Sequence, residues 1–335
     1  MANITSEKKN PIVRFFNMNT SGQTSGRTLP LWRQLLLQIV CLAILASVMF
    51  PIMYIVTMSF SSKTTRPSQL ELIPKEISFV AYQQVLDKPT ANPVTFPELL
   101  KNSFTLSAGV GVVALLIAVS AAYAFSRFKF KMREVLMVLV FIPLLMPAVG
   151  LSTPLYLLMN QIQVKECKDK SIAVQPFTYC DDRKGKLEFN LRDSLWGVGI
   201  AMTASALPFA VWNLKGYLDT IPKELEEAAA IDGADANQTF WKIVIPLAVP
   251  QLAVTFFLGF IGHWQEFVLT WLFLSQPEDY TLAMTLYNMT GQYANSVPWN
   301  RFAAMAVIVA LPVAVVYIAL QRQIVGGITS GAVKG

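Results

Sequence analysis

Glu224-Leu225-Glu226-Glu227-Ala228-Ala229-Ala230-Ile231-Asp232-Gly233, leading on to Ile243-Val244-Ile245-Pro246, is a polar, helix-forming island between two long apolar runs. An apolar chain that places three acids within one turn of an internal loop, at Glu224, Glu226 and Glu227, presents that loop to something soluble. The runs on either side decide the fold.

The chain has 335 residues, 54% hydrophobic and 14% charged, where a soluble domain carries about 25% charged residues. Asp, Glu, Lys and Arg are missing altogether from 34–62, 102–126, 135–164, 194–214, 243–265 and 302–321. At about 1.5 Å per residue, some 20 helical residues cross a hydrocarbon core of about 30 Å. The expected fold class is therefore all-α, a polytopic membrane protein. Six transmembrane helices fall at about 34–60, 102–126, 135–160, 194–214, 247–275 and 302–321, the fifth continuing past Glu266. They leave a polar segment 1–33, a long loop 215–246 and a tail 323–335. A seventh uncharged run, 280–300, holds Asn288, Gln292, Asn295 and Pro298; these groups are costly in lipid, so it reads as an amphipathic or re-entrant segment.

Segment 1–33 has no short apolar core with a small-residue cleavage site, so the first span reads as an uncleaved anchor. Six spans put both ends on one side. Counting charges divides Lys and Arg almost evenly, 14 to 13, so the tight hairpin with Arg127, Lys129, Lys131 and Arg133 carries the orienting signal. It places that hairpin and both termini in the cytoplasm, with the hairpin facing anionic lipid. The net charge of +6 suits a membrane surface and is no sign of nucleic-acid binding. Cys41 falls inside the first span. Cys167 and Cys180 share the loop 165–192, outside on this topology, where either a disulfide or two unpaired thiols would fit.

The loop 215–246 reads as two helices and a sharp turn. Pro222 suits a first helical turn, and Glu224, Glu226 and Glu227 favour the positive end of the helix dipole. Leu225, Ala228, Ala229 and Asp232 share one face. Gly233 is placed for a left-handed stop, and Asp235 with Gln238 has capping-box spacing. The small alanine face lets another surface come close, and the acids around it give register.

Glu227-Ala228-Ala229, Gly233 and Ile243-Val244-Ile245-Pro246 have the spacing of the cytoplasmic loop signature of binding-protein-dependent ABC transporter permeases, which the chain resembles; Ile245 replaces the usual Leu. Ala121 to Arg127 and Trp264-Gln265-Glu266-Phe267 are similar to the sugar-importing branch. Tyr280-Thr281-Leu282-Ala283 and the tail from Gln321-Arg322 through Gly331 to Gly335 are similar to the MalG-type subunits of maltose and maltodextrin importers.

The resemblance implies a coupling loop at Glu227, Ala228, Ala229, Asp232, Gly233, Ile243 and Pro246. It implies four partners besides the lipid bilayer: a second, MalF-like permease, a homodimeric ABC ATPase, an extracytoplasmic sugar-binding protein, and a sugar such as maltose, maltodextrin or trehalose. Residence in a prokaryotic inner or plasma membrane follows, with no cofactor and no catalysis by this chain. The chain has no G-x-x-x-x-G-K-[ST] phosphate loop, so an ATPase must be separate. A membrane enzyme is disfavoured by a single histidine and no H-E-x-x-H. An ion-coupled secondary transporter is the alternative, but its usual intramembrane acids are missing from the first four spans. His263, Gln265 and Glu266 are candidates for a translocation path or permease interface; a structural histidine and a solvated outer acid are the competing readings. Residues 287–300 are expected to meet the binding protein, and the tail to order against the ATPase.

Overall fold

A computed structural model describes residues 31–65, 77–146, 148–161, 163–166, 172–175, 186–191, 193–290 and 297–332. The chain divides into two units, Met1–Ile52 and Met53–Gly335. The described part of the first is helix α1, Leu31–Ser59, which ends in the second. Its side chains are apolar all round, as in a helix meant for lipid.

In the second unit the elements run α2 (Val80–Asp87), α3 (Phe96–Arg127), α4 (Arg133–Leu145), α5 (Ala148–Gln161), β1 (Gln163–Glu166), β2 (Ile172–Gln175), β3 (Lys186–Asn190), α6 (Leu195–Leu218), α7 (Glu224–Ile231) and α8 (Ala236–Thr239). A π-turn at Phe240–Val244 leads into α9 (Ile245–Trp264), α10 (Val268–Phe273), α11 (Leu282–Met289) and α12 (Trp299–Ala332). Among the described residues, five stretches are helical, long and apolar enough to span: 32–59, 96–127, 195–218, 236–264 and 299–324.

The expected third span, 135–160, is not one helix. It comes as α4 and α5, broken at Met146, whose φ of −89° and ψ of 140° are extended. The ring of a following proline drives a residue out of the helical region, and residue 147 is proline. The fifth span also stops early. α9 ends at Trp264, and the chain breaks over residues 265–267 before the short α10. Among the described residues of the seventh run, 280–300, eight form α11, far too short to cross, and the last two open α12. The glycine-bearing tail is helical through Ala332, continuing α12, where order only against the ATPase was expected.

The spanning architecture is all-α. Among the described residues the β-structure is one antiparallel sheet of order β2-β1-β3, which starts at Gln163 and continues through the loop 165–192 that the sequence reading left without structure. Cys167 and Cys180 lie outside the described residues.

α3 is the centre of the second unit. Its N-terminus is held by Glu98, whose carboxylate accepts from the Thr95 N–H at 2.8 Å. Ser103, Ser107, Gly111, Ala114, Ala118 and Ala122 form a small, buried stripe along it. In lipid, apolar surface gives helices no reason to associate, so close packing of small residues and interhelical hydrogen bonds must do so. α6 and α9 pack against this stripe, with Gly111 bringing Phe256 of α9 within 3.0 Å of a notional Cβ. Polar pins tie α3 to the segment 278–282 and α9 to α12. Ser103 Oγ accepts from the Leu282 N–H at 2.7 Å, Asn102 Nδ2 donates to the Glu278 carbonyl at 2.7 Å, and Trp264 Nε1 donates to Val309 at 3.2 Å.

α6 starts at Ser194, whose hydroxyl accepts from the Gly197 N–H at 3.2 Å. A Cβ on Gly197 would fall 1.7 Å from the Leu191 carbonyl oxygen, a clash that only backbone movement relieves. Gly197→Ala is expected to lower stability by about 3 kcal/mol. Gly216→Ala in the same helix, with nothing within 4 Å, should be neutral or gain roughly 0.5–1 kcal/mol of helix propensity. Thermal unfolding of the two variants in detergent checks this; equal melting temperatures would refute the assigned contact.

Candidate functional site

The Lys223 carbonyl accepts from the Glu226 and Glu227 N–H groups at 2.9 and 3.0 Å, so α7 opens just after Lys223, past the proline at 222. Its first turn carries Glu224, Glu226 and Glu227. Gly233 has φ +88°. The Ala234 N–H bonds to the Ala229 carbonyl at 2.9 Å and the Gly233 N–H to Ala230 at 3.1 Å. This paired arrangement ends a helix through a left-handed residue. Asp235 Oδ1 accepts from the Gln238 N–H at 2.7 Å, and Gln238 Oε1 from the Asp235 N–H at 3.3 Å, so α8 starts in a closed capping box.

Between α8 and α9 the backbone widens into the π-turn, with the Ile245 N–H reaching the Phe240 carbonyl. Pro246 follows in the first turn of α9. Its ring would crowd the carbonyl four residues back and supplies no N–H; a wider turn accommodates both effects. Ile243 is half-buried and Pro246 exposed.

Only Ala229 of α7 is buried. Glu227, Ala228 and Asp232 are exposed. Ile231 is 87% exposed and Leu225 44%. The loop thus offers an apolar-and-acidic knob.

The knob is fastened to α3 by residues that sequence reading did not assign. Arg127 Nε meets Glu226 Oε1 at 2.5 Å, with the two side chains 7% and 15% exposed. The Tyr123 hydroxyl donates to Glu226 Oε2 at 3.0 Å, and Arg127 also donates to the Ile221 carbonyl at 3.0 Å. Ser126 Oγ donates to Asp219 Oδ1 at 2.6 Å, and Lys215 Nζ meets Asp219 Oδ2 at 2.5 Å. Tyr123 packs on Phe240 with ring centroids 4.8 Å apart. Arg127 is therefore no lipid-facing member of the basic hairpin, as its neighbours suggested; it is sequestered against the acid of the loop.

Partial burial raises the Asp219 carboxyl, but hydrogen bonds from Lys215 and Ser126 and the charges of Lys215 and Arg133 outweigh it and hold the pKa below the ordinary 3.8. Ionised Asp219 therefore favours the folded form above that pH, and the contribution is lost as pH falls through the lowered value.

The three neighbours grouped from sequence go separate ways. Glu266 accepts from the Leu269 N–H at 2.7 Å and so caps α10. Gln265 is exposed. His263 is half-buried, and its Nε2 has no hydrogen-bond partner among the described residues; it lines a small cavity of about 140 Å³ with Gly111, Ala206, Thr255 and Gly259. Near it runs a chain that the sequence reading missed: Gln251 Nε2 donates to Asn213 Oδ1 at 2.9 Å, and Asn213 Nδ2 to Thr255 Oγ1 at 3.2 Å.

Residues 114–329 match the family of binding-protein-dependent transport system inner membrane components. The chain is 35% identical over 301 residues to the maltose/maltodextrin transport system permease protein MalG of Vibrio vulnificus strain YJ016, covering 88% of this chain and 93% of that one. It is 29% identical over 303 residues to the galactooligosaccharides transport system permease protein GanQ of Bacillus subtilis strain 168, covering 90% and 96%. Its fold resembles that of a chain in the crystal structure of a bacterial ABC transporter involved in import of the acidic polysaccharide alginate. The TM-score is 0.65 and the identity 24%, over 89% of this chain and 99% of that one.

Breaking a buried ion pair strands the remaining charge, whereas replacing both partners by apolar groups removes the penalty. Arg127→Met is expected to lower stability by about 2–3 kcal/mol. The double variant R127M/E226L should recover more than half of that. A double-mutant cycle on thermal unfolding reads the difference; strictly additive losses would mean that the two groups do not interact.

Proposed function

The chain belongs to the family of binding-protein-dependent transport system inner membrane components, and from that premise we propose that it is one permease subunit of an ATP-driven sugar importer. The substrate class is a neutral oligosaccharide of the maltose or maltodextrin type. The names of relatives at 35% and 29% identity, maltose/maltodextrin and galactooligosaccharide permeases, support that class.

The observation that carries the reading is the exposed knob at Glu227, Ala228, Ile231, Asp232 and Gly233, rigidly fastened to a long central helix. A docking surface that drives transport must transmit displacement. A knob on a slack loop would move without moving the helices. Here Arg127, Tyr123 and Ser126 tie the loop to the end of α3, so a push on α7 reaches the bundle.

In this mechanism a soluble binding protein delivers sugar at the outer face and two ATPase subunits close on ATP. One of them carries α7 with it. Coupling requires the loop to bind the open and closed ATPase with different affinity, since equal affinity would shift no equilibrium. The second permease subunit presents the second knob and shares the sugar path. Ile243 and Pro246 hold the loop to α9. Both termini lie in the cytoplasm with the knob, and segment 287–300 faces the binding protein on the other side.

Glu227→Lys adds repulsion at the positive end of the α7 dipole and on the docking face. It should reduce co-purification of the ATPase by about tenfold while leaving the chain in the membrane. Gly233→Val has open space for its side chain but a φ of +88°, which costs roughly 1–2 kcal/mol for a residue with a Cβ. It should lower sugar uptake per ATP hydrolysed in proteoliposomes. Maltodextrin uptake driven by an ion gradient with no ATPase present would overturn the reading in favour of a secondary carrier.

A further inference from the structure

The hairpin between α3 and α4 holds Met132 at φ 64°, a left-handed conformation that residues other than glycine and asparagine rarely adopt. Such an outlier persists only where surrounding contacts enforce it, and it motivates a search for function. Along the hairpin, large apolar side chains alternate with cations: Phe128, Phe130 and Met132 are exposed, interleaved with Lys129, Lys131 and Arg133. α3 has the length and composition of a span, so the hairpin sits where a crossing helix leaves the hydrocarbon.

Behind it opens a pocket of about 650 Å³. Three cations line it, Lys129, Arg133 and Lys215, against one acid, Glu134. The rest of its wall is apolar and includes Val138 and Phe141 of α4. Lys215 is already paired with Asp219 at 2.5 Å. Among the described residues, neither the Lys129 nor the Arg133 side chain makes a hydrogen bond or an ion pair, although the Arg133 charge does act on Asp219.

We propose that this pocket binds one anionic phospholipid, its phosphate between Lys129, Arg133 and Lys215 and its acyl chain along Val138 and Phe141. Surplus positive charge selects an anion, and the adjoining apolar wall selects an anion that carries a chain. A free phosphate would leave that wall empty, and a zwitterionic lipid would bring a cation into a cationic site. Basic residues at a membrane surface each contribute about 1 kcal/mol toward anionic lipid, so two of them suffice for a marked preference. Lys215 joins this site to the loop. A lipid phosphate competes with Asp219 for it, and Asp219 is the acceptor of Ser126 beside Arg127.

The test uses the full chain in its purified membrane complex, titrated with short-chain phosphatidylglycerol while bound lipid is read by native mass spectrometry. Lys215 stays intact because it holds Asp219. Lys129→Gln should weaken binding about fivefold and K129Q/R133Q about twentyfold, whereas K63Q/K88Q, cations elsewhere in the chain, should leave it unchanged. Phe141→Ala should weaken phosphatidylglycerol binding without affecting inorganic phosphate. Lys129 is exposed, so its single variant keeps the test decisive if the double one fails to assemble. Wild-type affinity in both lysine variants, equal binding of phosphatidylcholine, or displacement of the lipid by equimolar inorganic phosphate would each overturn the proposal. None of these readouts depends on which solute is transported.

Discussion

The contact between Arg127 and Glu226 joins two parts that local sequence would let drift apart. One is the end of a helix of membrane length; the other is a surface loop that leaves and re-enters the bundle. An ion pair with side chains 7% and 15% exposed is not worth much as net stability, because removing both charges from water offsets most of the attraction. Its worth is geometric. Arg127 also donates to the Ile221 carbonyl and Glu226 also accepts from Tyr123, so the pair has one arrangement rather than several. Within Met53–Gly335, α7 cannot tilt without moving the end of α3 or breaking these bonds.

The remainder of the loop serves the same end by local means. The left-handed turn at Gly233 and the capping box at Asp235 fix the angle between α7 and α8, and the π-turn hands α8 over to α9 despite Pro246. Along α3 the small stripe brings α6 and α9 close, which is how helices associate where apolar burial gives no advantage. A displacement at the knob therefore meets a bundle of packed, pinned helices. Packed interiors transmit strain rather than absorb it.

The loop was legible in the sequence because its signals are short-range. A glycine after an acidic alanine helix and an aspartate three residues before a glutamine each name their own partner. The long apolar runs were legible too. Their breaks were less so: Pro147 within an uncharged run reads as a kink in one span rather than a break between two helices, and the end of α9 at Trp264 was masked by the apolar sequence after it. The fastening to α3 was out of reach. Arg127 and Glu226 are 99 positions apart, and an arginine in a basic hairpin looks like its lipid-facing neighbours until the fold brings the acid to it. Glu266 illustrates the converse. An acid near a membrane segment suggested a path, while its position three residues before Leu269 equally fits the helix cap that the structure places there.

In the proposed mechanism the loop and α3 move as one body during transport. Tyr123 and Phe240 lie on the two sides of the junction, ring centroids 4.8 Å apart. In a chain whose three cysteines are replaced by serine, Y123C/F240C can be joined by a short bis-thiol reagent in the assembled, reconstituted complex. Solute uptake with ATP is then compared before and after joining. Uptake within about twofold of the unjoined variant is the predicted result, since a rigid junction loses nothing by being made covalent. Uptake abolished by the bridge and restored when it is cleaved would show that the loop slides on α3 during the cycle, and would contradict the account.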